Sequence, residues 1–158
     1  MMRAIFMLNS LAAAQKLGKR AVLLVGDDPL NQPPEPLPKN IIAAPYAPYA
    51  KIFPRASVVV HQGGVGTTGQ ALRAGKPMLV MPFGGDQYDN GARVERLGAG
   101  YTIMRKQYRA DRVAAQLKRF FDNPSYRETA ANLARRVSAE NGVRVACDAI
   151  EEQLNRTA

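Results

Sequence analysis

The sequence is poor in the residues that build disulfide frameworks and metal clusters, with one cysteine and one histidine among 158 residues. A single cysteine cannot form an internal disulfide or supply a cysteine metal cluster, so both kinds of site are excluded. Cys147 lies in a predicted helix, where we expect it to be a small core residue. No apolar run approaches the ~18 residues of a membrane span, so no such segment is predicted.

Positive charge exceeds negative charge, with 22 Lys and Arg against 13 Asp and Glu and a formal net charge of +9. The excess is not concentrated, because residues 1–101 hold 11 basic and 6 acidic side chains and residues 102–158 hold 11 and 7. Aromatic residues do not alternate with the basic ones. This pattern favours a solvated basic surface over a nucleic-acid site, although it would still attract a ligand that carries phosphate.

Residues 1–14 loosely resemble a signal peptide, but polar residues interrupt their apolar stretch. Within this segment Ile5, Leu8 and Leu11 fall on one face of a helix. We therefore predict an amphipathic N-terminal helix and a cytoplasmic protein.

Apolar runs alternate with segments of helical pattern along the chain. The predicted strands are residues 20–25, 40–43, 57–60, 77–81 and 101–104, and the predicted helices are residues 67–74, 87–97 and three pieces after residue 111, with breaks near Asn123 and Asn141. Apolar strands that alternate with helices are typical of a parallel sheet covered on both faces. Since the length fits one domain, the sequence predicts a single α/β domain over residues 1–158, with a Rossmann-like parallel sheet and C-terminal helices.

A glycine-rich loop joins the third predicted strand to the next helix. Residues 64–69 read Gly-Val-Gly-Thr-Thr-Gly and match the pattern G-x-G-x-x-G. Glycines let the backbone approach an anion closely, and a helix N-terminus offers unpaired N–H groups and the positive end of its dipole. The hydroxyls of Thr67 and Thr68 would add donors. The loop therefore predicts a phosphate site, with a tight turn that binds no ligand as the alternative.

The same pattern occurs in dinucleotide-binding proteins, and Asp86 lies 20 residues after Gly66, near the expected place of a ribose-binding acid. However, Asp86 lies several residues beyond its strand. The loop also follows the third strand, whereas the dinucleotide fingerprint usually opens the fold. Both features lower the odds of NAD, and an NAD(P)-binding domain stays an alternative.

Several further blocks accompany the loop in order. They are residues 61–68, 72–77, 82–87, 93–94, 97–98 and Gly100. Together these blocks resemble the donor-sugar signature of UDP-glycosyltransferases with the GT-B fold, and most closely the bacterial and fungal branch that glycosylates sterols, macrolides and peptide-antibiotic aglycones. The resemblance is tight over residues 44–100 and looser from about 20 to 155, and it implies the C-terminal, nucleotide-sugar-binding domain of such an enzyme.

The resemblance implies a donor-binding role for ten residues and no catalytic or metal-binding residue. The ten are Tyr46, His61, Gly63, Gly64, Gly66, Thr67, Thr68, Asp86, Gln87 and Asn90. His61 is similar to the histidine that contacts the donor phosphates, and the glycines and threonines to the pyrophosphate cradle. Asp86 and Gln87 are similar to the acid–amide pair that binds sugar hydroxyls, with Asn90 in the following helix. Tyr46 is similar to the aromatic residue that holds the base. The implied ligand is UDP-sugar or dTDP-sugar, without a cofactor.

Each role has a plainer alternative, and for Asp86 it is a cap on the following helix. The chain also departs from the family pattern, because Gly69 and Gln70 stand where many relatives have a ribose-binding glutamate. The resemblance also implies an acceptor-binding domain and a first strand of the donor domain, and we expect both to be absent from residues 1–158. An unfilled strand slot exposes backbone groups. We expect it to be filled by rearrangement of residues 2–8 or by another chain, as in a homo-oligomer.

Three functional hypotheses follow. The first is the donor-binding half of a glycosyltransferase that transfers a hexose to a hydroxyl acceptor, needs an acceptor-binding domain or subunit, and is inactive alone. The second is a truncated, non-catalytic remnant or self-associating domain. The third is an NAD(P)-binding Rossmann domain. Nucleotide binding separates them. The first hypothesis predicts binding of UDP or dTDP, the second predicts no nucleotide binding, and the third predicts binding of NAD.

Overall fold

The computed structural model describes residues 2–157, with side chains for residues 5–156. It confirms the predicted α/β fold. The strands are β1 (Ala21–Leu24), β2 (Ile41–Ala44), β3 (Val59–His61), β4 (Met78–Val80) and β5 (Gly100–Thr102), and the helices are α1 (Met2–Lys16), α2 (Tyr49–Ile52), α3 (Val65–Arg73), α4 (Gln87–Arg96), α5 (Ala110–Asp122), α6 (Pro124–Ala139) and α7 (Gly142–Thr157). The predicted helix breaks are caps, because the Oδ1 atoms of Asn123 and Asn141 accept hydrogen bonds from the first turns of α6 and α7.

Every described strand pairing is parallel, as predicted. β1 pairs with β2, and a second sheet has the order β3–β4–β5. β4 lies in the centre of the second sheet, and Met78, Leu79 and Val80 are fully buried. Burial on both faces explains why this strand reads as a continuous apolar run rather than an alternating one.

Helices cover both faces of the three-stranded sheet. On one face Leu79 packs in a core with Ala13 of α1 and residues of α5. On the other face Met78 packs with Ala71 of α3 and Val94 of α4. Successive residues of β4 thus enter opposite cores, because successive side chains of a strand point to opposite faces.

The predicted N-terminal helix is confirmed as α1, but its buried face differs from the prediction. Leu11 is buried whereas Leu8 is exposed, and in the early turns of α1 Phe6 and Met7 pack against the two cores instead. Two polar contacts anchor α1 to Tyr108 and to the first residue of α5. The hydroxyls of Ser10 and Tyr108 share a hydrogen bond of 2.8 Å, and Asn9 Oδ1 accepts from the Ala110 N–H at 2.9 Å. Burial raises the pKa of Tyr108 and keeps its hydroxyl neutral.

The two sheets are separate. Within residues 2–157, no backbone hydrogen bond links β1 to β3. Residues 2–8 are part of α1, so the prediction that they rearrange into the open strand slot is wrong. They continue the same helix as residues 9–16, which packs against both sheets through Ala13 on one side and Ala14 on the other. Filling of the slot by another chain stays a prediction.

The C-terminal helix α7 stands apart from the rest of the described domain, because every residue from Ser138 to Arg156 is exposed. Cys147 is among them, so the prediction that it is a core residue is wrong. The predicted helix of this segment is confirmed, but the described part of the chain provides no surface that covers it. In residues 2–157, no helix has the combined length and apolar character needed to cross a bilayer.

Candidate functional site

Except for Tyr46, the residues predicted to bind a ligand gather at the carboxyl ends of β3 and β4. β3 ends at His61 and leads through residues 62–64 into α3, and β4 leads through residues 81–86 into α4. Because the two strands are parallel neighbours, both loops lie at the same edge of the sheet. In open α/β sheets this edge is where ligands bind.

His61 is a buried and neutral imidazole. Its Nδ1 accepts a hydrogen bond from the Gly63 N–H at 3.0 Å, which places the ring hydrogen on Nε2. Burial lowers the pKa of His61 to about 4, so the ring is uncharged at neutral pH. Nε2 is enclosed and has no hydrogen-bond partner among the described residues. The loop therefore holds an N–H donor that the surrounding protein leaves unpaired.

Gly63 turns the chain from β3 towards α3. Its φ of +92° lies in a region that residues with side chains rarely adopt. A Cβ at this position would lie 2.9 Å from Val80 Cγ1 and 3.0 Å from the Gln87 carbonyl oxygen. Gly63 is therefore required by the close packing of the loop against β4 and α4.

The first turn of α3 has no side-chain cap, because the N-cap residue is Gly64. The N–H groups of residues 65–67 precede the first bond of the helix, which the Thr68 N–H donates to Gly64 O at 2.9 Å. A Cβ at Gly66 would have nothing within 4 Å. The Thr68 hydroxyl also donates to Gly64 O, at 2.9 Å, so its proton is used inside the helix rather than offered to a ligand as predicted.

Asn90 ties the start of α4 to the loop that follows β3. Its Nδ2 donates to Gly63 O and to Asp86 Oδ2, both at 2.9 Å. Asp86 occupies the N-cap position of α4, but its side chain makes no capping bond. The capping alternative is therefore not observed, and Asp86 presents an exposed carboxylate whose position Asn90 fixes.

Gln87 braces the loop that precedes α4. Its Oε1 accepts from the N–H of Phe83 at 2.7 Å and from the N–H of Gly84 at 3.3 Å. The oxygen of the amide is thus occupied within the protein. The Nε2 group is the part of this side chain that can donate to a ligand.

Tyr46 lies at a cavity next to α3, apart from the loops that follow β3 and β4. This cavity has a volume of about 450 Å³ and is lined by residues 46–50 and Gln70. The Tyr46 ring is 77% exposed, while Tyr49 stacks on Phe53 with ring centroids 4.5 Å apart. Gln70 was not among the predicted site residues. Its position one residue after Gly69, where the family resemblance implies a ribose-binding residue, was the signal that could have identified it.

At the start of α3 the site offers neutral hydrogen-bond donors rather than cationic side chains. It combines the N–H groups at the start of α3 with the Thr67 hydroxyl, which bonds to no other described residue. Such donors favour an anion. Across residues 2–157 no group of three His, Cys, Asp or Glu side chains is arranged to hold a metal ion. His61 is paired at Nδ1 and carries its hydrogen on an enclosed Nε2, so it is not placed to accept a proton from an acceptor.

Comparison with known families identifies the fold to which these residues belong. Residues 10–151 match the family described as "Erythromycin biosynthesis protein CIII-like, C-terminal domain". The chain belongs to this family. The match covers both sheets, α3, α4 and the loops that carry the candidate residues, so the CIII-like domain is the whole of the described fold apart from its ends.

Two relatives of the CIII-like domain are glycosyltransferases. Sterol 3-beta-glucosyltransferase from Saccharomyces cerevisiae is 35% identical over 130 residues, which are 82% of this chain and 11% of that protein. O-mycaminosyltylonolide 6-deoxyallosyltransferase from Streptomyces fradiae is 35% identical over 147 residues, which are 92% of this chain and 34% of that protein. The chain thus spans about a third or less of the length of these relatives.

Solved structures agree with this assignment. The glycotransferase of kitacinnamycin superposes with a TM-score of 0.84 at 28% identity, over 94% of this chain and 39% of that one. The spinosyn rhamnosyltransferase SpnG complexed with thymidine diphosphate superposes with a TM-score of 0.78 at 26% identity, over 86% of this chain and 37% of that one. These neighbours are GT-B glycosyltransferases, and the CIII-like domain corresponds to their C-terminal portion. The resemblance deduced from the sequence blocks is confirmed.

Proposed function

We propose that the chain binds the diphosphate of a UDP-sugar or dTDP-sugar at the N-terminus of α3. The observation that carries this proposal is the uncapped first turn of α3, which has open space at Gly66. N–H groups and the helix dipole stabilise negative charge at such a turn without a cationic side chain. The relationship to glycosyltransferases supports a nucleotide-sugar ligand, and the thymidine diphosphate held by one structural neighbour supports a diphosphate nucleotide.

The nucleoside part of the donor would occupy the cavity between Tyr46 and Gln70. Gln70 lies about one helical turn beyond Gly66 on α3, roughly 6 Å along the helix axis. A base could stack on the exposed Tyr46 ring while the Gln70 amide bonds the ribose hydroxyls. In this arrangement Gln70 takes the role of the ribose-binding glutamate that many relatives have at the position of Gly69.

The sugar would be held from α4. The exposed carboxylate of Asp86 accepts from hydroxyl groups, and the Nε2 group of Gln87 donates to them. In this proposal His61 is a positioning residue, because its Nδ1 holds the Gly63 N–H and its Nε2 is enclosed.

Transfer of the sugar also needs an acceptor hydroxyl and a group that removes its proton. The sequence has one histidine, His61, and it lies at the end of β3 in the proposed donor site. We therefore infer that an acceptor-binding domain or subunit completes the enzyme and that residues 1–158 alone transfer no sugar. The share of the relatives' length that the chain spans supports this inference.

Isothermal titration of the chain with UDP, dTDP, UDP-glucose and NAD⁺ tests donor binding. We expect heat with UDP or dTDP and none with NAD⁺. Gly66→Val should weaken binding by about tenfold or more, since a side chain would fill the space at the helix N-terminus. Gly142→Val is the control, because Gly142 lies at the start of α7, outside both loops of the candidate site, and a Cβ there also has nothing within 4 Å.

Each contrary result is distinct. Heat with NAD⁺ alone would support a dinucleotide-binding domain, and no heat with any of the ligands at millimolar concentration would support a non-binding remnant. An equal loss of UDP binding in both valine variants would place the binding site away from the first turn of α3. Thermal unfolding of both variants verifies that they remain folded.

A further inference from the structure

A cavity at the carboxyl end of β5 contains none of the residues assigned to the donor. Its volume is about 880 Å³, nearly twice that of the cavity beside Tyr46. It lies between α1, α4 and the segment that follows β5, and it is lined by Ile5, Asn9, Tyr88 and residues 104–109. Because β5 is the parallel neighbour of β4, this segment leaves the sheet at the edge where ligands of α/β proteins bind. We call this space the β5 cavity.

Three cationic side chains line the β5 cavity, and no acidic side chain does. They belong to Arg105, Lys106 and Arg109, and all three residues are exposed. None of them forms an ion pair with another residue of the described chain, and Asp111, the nearest acid in the sequence, pairs with Lys16 instead. The cavity therefore carries positive charge that the protein does not compensate locally, and such charge attracts an anion.

Exposed apolar side chains form another part of the wall. Tyr88 and Met104 are each 47% exposed. Ile5, on α1, is half-buried and adds a third apolar side chain. The free energy of the system decreases when a ligand removes such surface from water. The wall therefore suits a molecule that has an apolar body as well as an anionic group.

The backbone that carries the three cations has a fixed shape. The Gln107 N–H donates to Met104 O at 2.8 Å, and the Tyr108 N–H donates to Arg105 O at 3.1 Å. Tyr108 anchors this turn, because it is 1% exposed, its ring stacks on Phe6 with centroids 5.5 Å apart, and its hydroxyl is hydrogen-bonded to α1. A ligand would therefore order side chains but not the backbone, which lowers the entropic cost of binding.

We propose that the β5 cavity binds an apolar molecule that carries an anionic head, either a carboxylate or a phosphate. The head would contact Arg105, Lys106 and Arg109, whose guanidinium groups can form paired hydrogen bonds with such a head. The apolar body would lie against Tyr88 and Met104. The volume of the cavity is within the roughly 300–1,000 Å³ of small-molecule sites.

The β5 cavity adjoins the proposed donor site but shares no residue with it. Tyr88 directly follows Gln87, so a ligand in the cavity and a sugar held by Gln87 would be neighbours. The two sites also hold an anion by different means. The first turn of α3 offers backbone N–H groups, whereas the β5 cavity offers cationic side chains. Both sites should therefore be occupied at the same time.

Isothermal titration of the whole chain tests the proposal with octanoate, octyl phosphate and octylammonium, which share one apolar tail. We expect heat from the two anions, with dissociation constants on the order of 0.1–1 mM, and none from octylammonium, which the three cations repel. The anion that binds more tightly identifies the preferred head. Hexanoate should bind about tenfold more weakly than octanoate, since each buried methylene changes the affinity roughly fourfold.

Reversal of one charge tests the location of the site. Arg109→Glu should weaken octanoate binding several-fold, because it places a negative charge beside the head. Arg112→Glu is the matched control. Arg112 is exposed, lies in the first turn of α5, one helical turn from Arg109, and does not line the cavity, and its substitution changes the net charge equally. Octanoate binding should be unchanged in this control, and thermal unfolding of both variants should match that of the parent.

Four results would overturn the proposal. They are no heat from either anion, octylammonium binding as tight as that of octanoate, an equal loss of octanoate binding in both variants, and loss of octanoate binding in excess UDP. The third would assign the attraction to the general positive charge of the chain, and the fourth would place the anion at the first turn of α3. A chain that binds octanoate but not UDP or dTDP would contradict the proposed function and leave this inference intact.

Discussion

His61 is a polar side chain that is only 4% exposed. Its burial favours the neutral ring, and the Gly63 N–H determines which ring nitrogen carries the hydrogen. Protonation of Nδ1 would remove the hydrogen bond that shapes the loop between β3 and α3. The protonation state of one residue is thus coupled to the geometry of the candidate site.

We expect the free energy of unfolding to decrease as the pH falls from 6.5 towards 4. The folded pKa of about 4 lies below the ordinary value of 6.5, so the unfolded chain takes up the proton first. The contribution of the neutral ring is complete above pH 6.5 and is lost as the pH falls through 4. Between pH 7 and pH 5 the free energy of unfolding should therefore decrease by about 2 kcal/mol.

Urea unfolding of the parent and of His61→Asn across this pH range measures that contribution. The Asn side chain keeps an acceptor near the Gly63 N–H but does not titrate, so its stability should change less with pH. Equal pH dependence of the two proteins would contradict the prediction. The other titrating groups are common to both proteins and cancel in the comparison.

The positions of the site residues were predictable, because the ordered sequence blocks place the loop after β3 beside the start of α4. The use of their polar atoms was not. The Thr68 hydroxyl and the Gln87 Oε1 have the expected chemistry, but both bond to backbone atoms of their own loops. Residue type identifies a donor or acceptor, whereas its partner depends on the path of the backbone, which the sequence blocks do not specify.

At the scale of the element, α6 supports the two helices that begin at the site. α3 and α4 are followed by Gly75 and Gly98, each with positive φ. A Cβ at Gly75 would lie 3.1 Å from Ala134 Cβ, and one at Gly98 would lie 3.6 Å from Thr129 Cγ2, both in α6. The contact at Gly75 fixes where α3 ends and therefore how its N-terminus is presented.

We expect Gly75→Ala to destabilise the domain more than Gly18→Ala. Both positions have φ near +65°, at +66° and +61°, and this backbone conformation alone costs about 1–2 kcal/mol for alanine. At Gly18 nothing lies within 4 Å of a Cβ, whereas at Gly75 the contact with Ala134 should add ~1 kcal/mol. Chemical denaturation measures the free energy of unfolding of the two variants. Equal decreases would show that α6 moves to accommodate the new Cβ with no loss of stability.

Most helices and strands were predictable from their hydrophobic period, but the surfaces that cover them were not. The pattern around Cys147 predicts a helix correctly, yet that residue is exposed because no described element packs on α7. Leu8 shares a helical face with Leu11 and is nevertheless exposed, whereas its neighbours Phe6 and Met7 pack against the two cores. A helical period indicates an apolar face, and tertiary contacts decide whether that face is buried.

At the scale of the whole molecule, the strands divide into two sheets, and within residues 2–157 one edge of β1 has no paired strand. The N–H groups of Ala21 and Val25 donate to the segment that contains β2, at 3.0 Å each. Alternate residues of a parallel strand bond to opposite sides, so the N–H groups of Val22 and Leu24 point to the other edge. Sequence patterns did not reveal this division, because each strand has the same apolar character whether or not its neighbour is present.

Hydrogen exchange followed by NMR can test the open edge. We expect the amides of Val22 and Leu24 to exchange at least about tenfold faster than those of Leu23 and Val25, since the latter two are bonded within the described sheet. The buried amides of β4 serve as the slow reference. Equal protection at all four positions would show that a further strand pairs with β1, as the prediction of a filled slot requires.

The single histidine also gives the domain a built-in reporter. One imidazole in the sequence means one set of imidazole resonances in a proton spectrum, so no isotope label is needed to assign them. Because the pKa of His61 is lowered to about 4, those resonances should not move with small changes in pH between 6 and 8. A shift on addition of a nucleotide would therefore report a change at the loop between β3 and α3 rather than a difference in buffer.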